Sequence, residues 1–178
     1  MMIKVNDEIV LREIQEEDAE TIFKTIDSQR EYLGEWLPFV ELTQEKEDTL
    51  RFIQAMLKRP EDEREFVFTI RYQGDFAGLI GFRDTDRLNR KTEIGYWLSF
   101  DYQKKGIVIQ SVSKLMEFAF DELEMNRVQV KCAVQNIRSK RIPEKLGFVH
   151  EGTERAGELF PGGKFVDLDI YSKLKMDF

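Results

Sequence analysis

At 178 residues, with 42% hydrophobic and 34% charged side chains, the chain has room for one sizeable core and the balance of a folded protein, not a disordered one. Its formal net charge of −7 argues against nucleic acid as the main partner and tolerates a cationic substrate such as an amine. One cysteine, Cys132, excludes an intrachain disulfide, the start Met1–Asp7 carries no apolar leader, and no apolar run approaches the roughly 20 residues of a membrane span. A cytoplasmic location without membrane contact is therefore expected.

Val10 to Ile14 reads as a first strand. Asp18 can cap a helix whose apolar residues Ala19, Ile22, Phe23 and Ile26 recur at helical spacing. An aromatic-rich connection, Tyr32 to Phe39, follows. Thr43 can then cap a second helix with Leu50, Ile53, Met56 and Leu57 inward, stopped at Pro60. The period then changes to two. Phe66, Phe68, Ile70 and Tyr72 alternate, Gln73-Gly74-Asp75 turns, and Phe76 to Phe82 and Glu93 to Ser99 complete an antiparallel meander. Val108, Val112, Leu115, Met116, Ala119 and Leu123 mark a long helix, and Val128 to Val134 a strand. Asn136 can cap a short helix ending at Gly147. Phe148–Glu154 and Phe165–Leu174 close the fold around Pro161-Gly162-Gly163. The expected class is α/β, a mixed central sheet of about seven strands with about four helices. With no repeat, low-complexity tract or Gly/Ser linker, residues 1–178 read as one domain.

The segment Gln103-Lys104-Lys105-Gly106-Ile107-Val108 joins a strand to the long helix. A helix N-terminus presents unpaired N–H groups and the positive end of the helix dipole, which together suit phosphate. Gly106 allows close approach or a positive φ, and Lys104 and Lys105 add charge. By itself this is also what an ordinary tight turn looks like.

The ordered string Glu93-Ile94-Gly95-Tyr96-Trp97-Leu98-Ser99, Gln103-x-x-Gly106, Asn126-Arg127-Val128, Asn136-x-x-Ser139 and Glu144-Lys145-Leu146-Gly147-Phe148 resembles the GCN5-related N-acetyltransferases. The similarity is greatest to the branch that acetylates ribosomal-protein N-termini, with spermidine acetyltransferases near it. Trp36-Leu37-Pro38 and Lys164-Phe165-Val166-Asp167 fit that branch too. The resemblance implies a GNAT fold, acetyl-CoA as co-substrate, no metal, and an amine acceptor such as a protein N-terminus. It implies that Gln103–Val108 holds the pyrophosphate through main-chain N–H groups. The family loop commonly ends in Gly or Ala where this chain has Val108, a side chain that should narrow the approach. Relatives are often dimers or larger rings, so self-association is expected on resemblance alone.

Amine acetylation requires removal of the ammonium proton, a thioester within reach, a donor for the oxyanion and a proton for the leaving thiolate. The resemblance points to main-chain groups of Leu98 and Phe100 for the oxyanion and pantetheine contacts. Many relatives carry a tyrosine acid where this chain has Pro143; the ribosomal-type branch has a serine one turn earlier, matched by Ser139. Ser139 is thus the candidate acid, and Asn136 would hold the pantetheine arm. Pro143 lacks the N–H that would bond the Ser139 carbonyl. Glu158, expected in the loop before the last strand, and Glu93, at the start of the strand that leads to the Gly106 loop, compete as the base, with Glu158 preferred, and either could be a solvated charge. Tyr32, Trp36 and Phe39 could wall the acceptor pocket or simply pack in the core.

Other residues read as structural. Cys132 alternates with apolar neighbours in a strand, and His150, the only histidine, lacks the partners of a metal site. Lys140, Arg141 and Lys145 could meet the 3′-phosphate of the nucleotide, but read more simply as a solvated helix face. Two competing functions stand beside protein N-terminal acetylation: acetylation of a small amine such as a polyamine or aminoglycoside, and a non-catalytic CoA-binding module.

Overall fold

The computed structural model describes residues 1–60 and 63–178. Among these residues are eight strands and six α-helices, with both parallel and antiparallel ladders. The chain divides into two compact units, Met1–Gly81 with Tyr96–Ile107, and Phe82–Gly95 with Val108–Phe178. Strands β4 (Asp75–Asp86) and β5 (Lys91–Leu98) each contribute to both units. No described helix is long and apolar enough to cross a membrane.

In the first unit, β1 (Met2–Lys4), β2 (Ile9–Glu13), β3 (Val67–Tyr72) and the first part of β4 pair antiparallel in sequence order. The helices are α1 (Ala19–Ser28), α2 (Arg30–Gly34), α3 (Phe39–Leu42) and α4 (Lys46–Leu57). Ile22 and Ile26 of α1, Leu33 of α2, Val40 of α3 and Ile53 of α4 pack with Phe76, Leu79 and Trp97 in one cluster. Most of the apolar spacing read from the sequence thus faces inward, as expected for amphipathic helices, but Leu57, in the last turn of α4, is 39% exposed. Gly78 permits the close approach of β4 and β5 here: a Cβ would lie 2.2 Å from the Trp97 carbonyl oxygen. The Ser99 N–H donates to the Ala77 carbonyl at 2.8 Å, fixing the end of β5.

Three local expectations fail in this unit for identifiable reasons. Asp18 does not cap α1 through its side chain; it is buried, takes hydrogen bonds from Arg12 and Arg71, and accepts the Gln15 N–H at 2.9 Å. A buried carboxylate needs such partners. Thr43 bonds back to the Phe39 carbonyl at 3.0 Å, while Glu45 and Asp48 form the capping box of α4. The connection Tyr32–Phe39 is not a plain loop, because two helices of five and four residues, too short for a periodic signal, occupy it.

In the second unit, β4 and β5 continue as a hairpin whose tip is closed by Asn89 donating to the Asp86 carboxylate at 2.7 Å. β5 pairs parallel with β6 (Arg127–Ala133) over Lys91–Glu93 and Arg127–Gln129. The last strand, β8 (Lys164–Leu174), lies between β6 and β7 (Val149–Phe160), antiparallel to both. β7 runs six residues beyond the Glu154 expected as its end, since a bulge breaks its alternation: Glu154 opposes Leu168 but Glu158 opposes Val166. Helix α5 (Ile107–Asp121) buries Val112, Leu115, Met116 and Ala119, and Phe118 stacks on Phe82 at 6.3 Å. Helix α6 (Ile137–Lys145) is capped by Asn136, whose Oδ1 accepts the Ser139 N–H at 3.1 Å. Pro143 lies inside α6 and is buried; Gly147, at φ +70°, ends the segment.

Candidate active site

In the first unit the strand-to-helix loop is a turn of 3₁₀ helix, Phe100–Tyr102, an extended Gln103, and two left-handed residues, Lys104 at φ +63° and Gly106 at φ +72°. Residues 104–106 are exposed. Glycine takes this conformation freely, while a lysine in it costs about 1–2 kcal/mol. Such strain clusters at ligand clamps and switch segments. The sequence pointed to Gly106 but gave no signal for Lys104, since lysine has no preference for this region. Lys105, though exposed, lays its Nζ over the Tyr72 ring at 4.8 Å and the Tyr102 ring at 5.5 Å.

Two side chains from the α1–α2 junction hold this loop. Gln29 Oε1 accepts the Phe100 N–H at 2.9 Å, and its Nε2 donates to Ser99 Oγ at 2.9 Å. The Tyr32 hydroxyl accepts from Gln103 Nε2 and donates to the Leu98 carbonyl at 3.4 Å. Two of the main-chain groups near the end of β5 are therefore engaged: the Phe100 N–H by Gln29 and the Leu98 carbonyl by Tyr32. This removes the Phe100 N–H as an open oxyanion donor. Tyr32 also meets Phe100 edge-on, ring centroids 5.4 Å apart. These two rings line an open cleft of about 480 Å³ with Gln29, Arg30, Glu31, Glu35 and Asp101. Trp36 is half-buried and Phe39 exposed, and neither lines that cleft. Gln29 was missed by sequence reasoning; it lies 71 residues from the amide it binds and belongs to no motif.

In the second unit, Asn136 and Ser139 share the first turn of α6. Ser139 is half-buried, and its Oγ lies 3.3 Å from Cys132 Sγ. Cys132 is buried, as its alternation predicted, and it also contacts the candidate acid. Lys140, expected on a solvated face, instead pairs with Asp169 at 2.6 Å. Asp169 further accepts from Thr153 at 2.7 Å and contacts His150 Nε2 at 3.3 Å. Burial pushes the Asp169 carboxyl up, but bonds from Lys140, Thr153 and His150 outweigh it and hold the group below the usual carboxylate range. Arg141 and Lys145 are exposed, as read from the sequence.

The two candidate bases differ sharply. Glu93 is 1% exposed; one oxygen takes Arg83 Nε at 2.5 Å and the other Gln129 Nε2 at 3.2 Å. It is no solvated charge. Glu158 is half-buried and lies on β7, not in a loop, because the strand resumes pairing beyond its bulge, with Glu158 opposite Val166. Burial pushes its carboxyl above the usual range; Arg83 opposes the rise, Glu93 adds to it and Lys131 opposes it. A carboxyl raised toward neutrality is suited to accept a proton. Val108 is half-buried in the first turn of α5. Among the described residues, no group of three or more His, Cys, Asp or Glu side chains is placed to hold a metal ion.

Known proteins carry the same pattern. Residues 8–149 match the acetyltransferase (GNAT) domain family. YdaF of Bacillus subtilis (strain 168), named provisionally as a ribosomal N-acetyltransferase, is 37% identical over 98% of this chain and 96% of its own length. The ribosomal-protein-serine acetyltransferase of Escherichia coli (strain K12) is 27% identical over 97% of this chain and 96% of its own. The crystal structure of the microcin C7 self-immunity acetyltransferase MccE in complex with acetyl-CoA and AMP superposes with a TM-score of 0.91 at 30% identity, over 97% of this chain and 95% of that one. With the α/β fold and the glycine-bearing loop that opens α5, these matches establish that the chain belongs to the GNAT family and is an acetyl-CoA-dependent N-acetyltransferase.

Proposed function

We propose that the enzyme acetylates the N-terminal α-amine of a protein, of the ribosomal type, and that residues 1–178 form one catalytic domain acting in the cytoplasm as a homo-oligomer. The observation that carries the acceptor class is the near full-length similarity to the Escherichia coli ribosomal-protein-serine acetyltransferase. When bound, acetyl-CoA supplies an activated acyl group as its thioester. The exposed loop at the start of a 15-residue helix, with its two left-handed residues, suits the pyrophosphate. Gln103, Lys104, Lys105, Gly106, Ile107 and Val108 are assigned to it, their main chain binding and Lys104 adding charge. Asn136 and Ser139 are assigned to the pantetheine arm, and the main chain of Leu98 to the end of β5 where the acyl group is expected.

Glu158 is the proposed base. Its carboxylate takes the ammonium proton of the acceptor, directly or through water. As the amine nitrogen bonds the acetyl carbon and the carbon–sulfur bond breaks, the Ser139 hydroxyl relays a proton to the departing sulfur and recovers its own from water. A thiol of pKa about 8.5 needs only a weak acid, so the absence of a tyrosine at Pro143 is tolerable. Tyr32, Trp36 and Phe39 are assigned to the acceptor. A second reading, acetylation of a polyamine or aminoglycoside, is favoured by Glu31, Glu35 and Asp101 in the cleft beside Tyr32, which suit a polycation.

Thiol release from acetyl-CoA, followed against ribosomal proteins, N-terminal peptides, polyamines and aminoglycosides, tests the proposal. The highest kcat/KM is expected on a protein α-amine. Preference for a small amine would overturn the acceptor assignment in favour of the second reading. Binding of CoA without turnover on any amine would make the chain a binding module. Val108→Ala is expected to keep or improve acetyl-CoA affinity in calorimetry, since the branched side chain adds bulk where the loop contacts are main-chain; a marked loss would show that Val108 contributes contacts of its own.

A further inference from the structure

Glu158 is surrounded by charge yet paired with none of it. Among the described residues its carboxylate has no hydrogen-bond or ion-pair partner, although Arg83 of β4 and Lys131 of β6 are its electrostatic neighbours. Both cations are engaged elsewhere. Arg83 Nε is 2.5 Å from Glu93 Oε1, and Lys131 Nζ is 3.1 Å from Glu154 Oε2. Glu93 is itself anchored by Gln129 at 3.2 Å, so it holds a fixed place on β5. Glu154 and Glu158 flank the β7 bulge. There Ala156 sits at φ +51°, and its N–H is fixed to the Asp167 carboxylate at 2.7 Å. The bulge puts two extra residues of β7 between the positions opposite Leu168 and Val166. Bulges of this kind re-aim a side chain, and an alanine in the left-handed region costs about 1–2 kcal/mol.

We propose that Glu93 and Glu154 are positioning residues, each drawing one cation, Arg83 or Lys131, away from Glu158, so that the Glu158 carboxylate stays unpaired and able to accept a proton. The inference rests on the reading of Glu158 as the base and deepens it. A carboxylate locked to a guanidinium within about 4–6 Å loses basicity by roughly one to three pH units. A base so weakened would not take the proton of an ammonium group efficiently. Two carboxylates that compete for the cations avoid this while leaving the cations near enough to steady the charge. The charged groups around Glu158 are thus Arg83 from β4, Glu93 from β5 and Lys131 from β6, with Glu154 of β7 reaching it only through Lys131; opposite it on β8 stands the uncharged Val166.

The test uses Glu93→Gln and Glu154→Gln in the full-length enzyme. The second is a surface change at a side chain 41% exposed, so it remains informative should the first fail to fold. Two readouts are taken together: the acid limb of the kcat/KM pH profile, and the titration of the Glu158 carboxyl followed by carbon-13 NMR. Glu154→Gln is expected to move both to lower pH by about one unit, as the released Lys131 turns to Glu158; Glu93→Gln is expected to move both in the same direction, through the released Arg83 and the loss of the Glu93 charge together. Loss of a merely structural contact would lower the rate without moving either midpoint. Unshifted Glu158 titration in both variants would overturn the proposal. A shifted titration with an unmoved rate limb would uphold the charge arrangement and remove Glu158 as the base.

Discussion

Gly106→Val is expected to weaken acetyl-CoA binding by at least about a hundredfold, a loss of about 3 kcal/mol. Two effects add. Gly106 lies at φ +72°, where a β-branched residue is strained by about 1–2 kcal/mol or turns the loop out of shape. On the proposed assignment, the side chain would also occupy the space through which main-chain N–H groups approach phosphate oxygens. Because residues 104–106 are exposed and contribute little to the core, the fold should survive. Calorimetric Kd values, with circular dichroism and Tm as controls, check this. A folded variant with affinity within threefold of the parent would show that the pyrophosphate is held elsewhere.

Ser139→Ala should act on the other half of the reaction. A turnover loss of at least about tenfold, equivalent to about 1.4 kcal/mol, is expected, with acetyl-CoA affinity nearly unchanged. The variant is clean for a structural reason. Asn136 caps α6 through the Ser139 N–H, which alanine keeps, while the Oγ, 3.3 Å from Cys132 Sγ, is removed. The helix start and its packing are therefore retained. What is removed is the hydroxyl proposed to protonate the departing sulfur. An unaltered kcat would remove Ser139 from the mechanism.

The periodic elements were legible in the sequence because each buries one face. The stripe of α5, the alternation of β3 and β6, and the Asn136 cap all follow from local spacing. The three-residue β1, the short helices α2 and α3, and the far half of β7 were not, as none spans enough residues for a period to show. Among the residues proposed for the site, Gly106, Asn136 and Ser139 could be singled out from motif order. Gln29, Arg83 and Glu154 could not, because their partners, Phe100, Glu93 and Lys131, lie well apart in sequence and are brought close by strand pairing and tertiary packing. Glu93 stood out in the sequence only by its place in the motif order; its burial and its two hydrogen-bond partners come from the packing of β4, β5 and β6.

The acceptor assignment is tested most directly by locating the transferred acetyl group. Intact ribosomal proteins would be incubated with the enzyme and isotopically labelled acetyl-CoA, in competition with spermidine, and the products mapped by tandem mass spectrometry. Label is predicted on the α-amine of an N-terminal residue. Label found on spermidine or on lysine ε-amines, with protein N-termini left free, would contradict it.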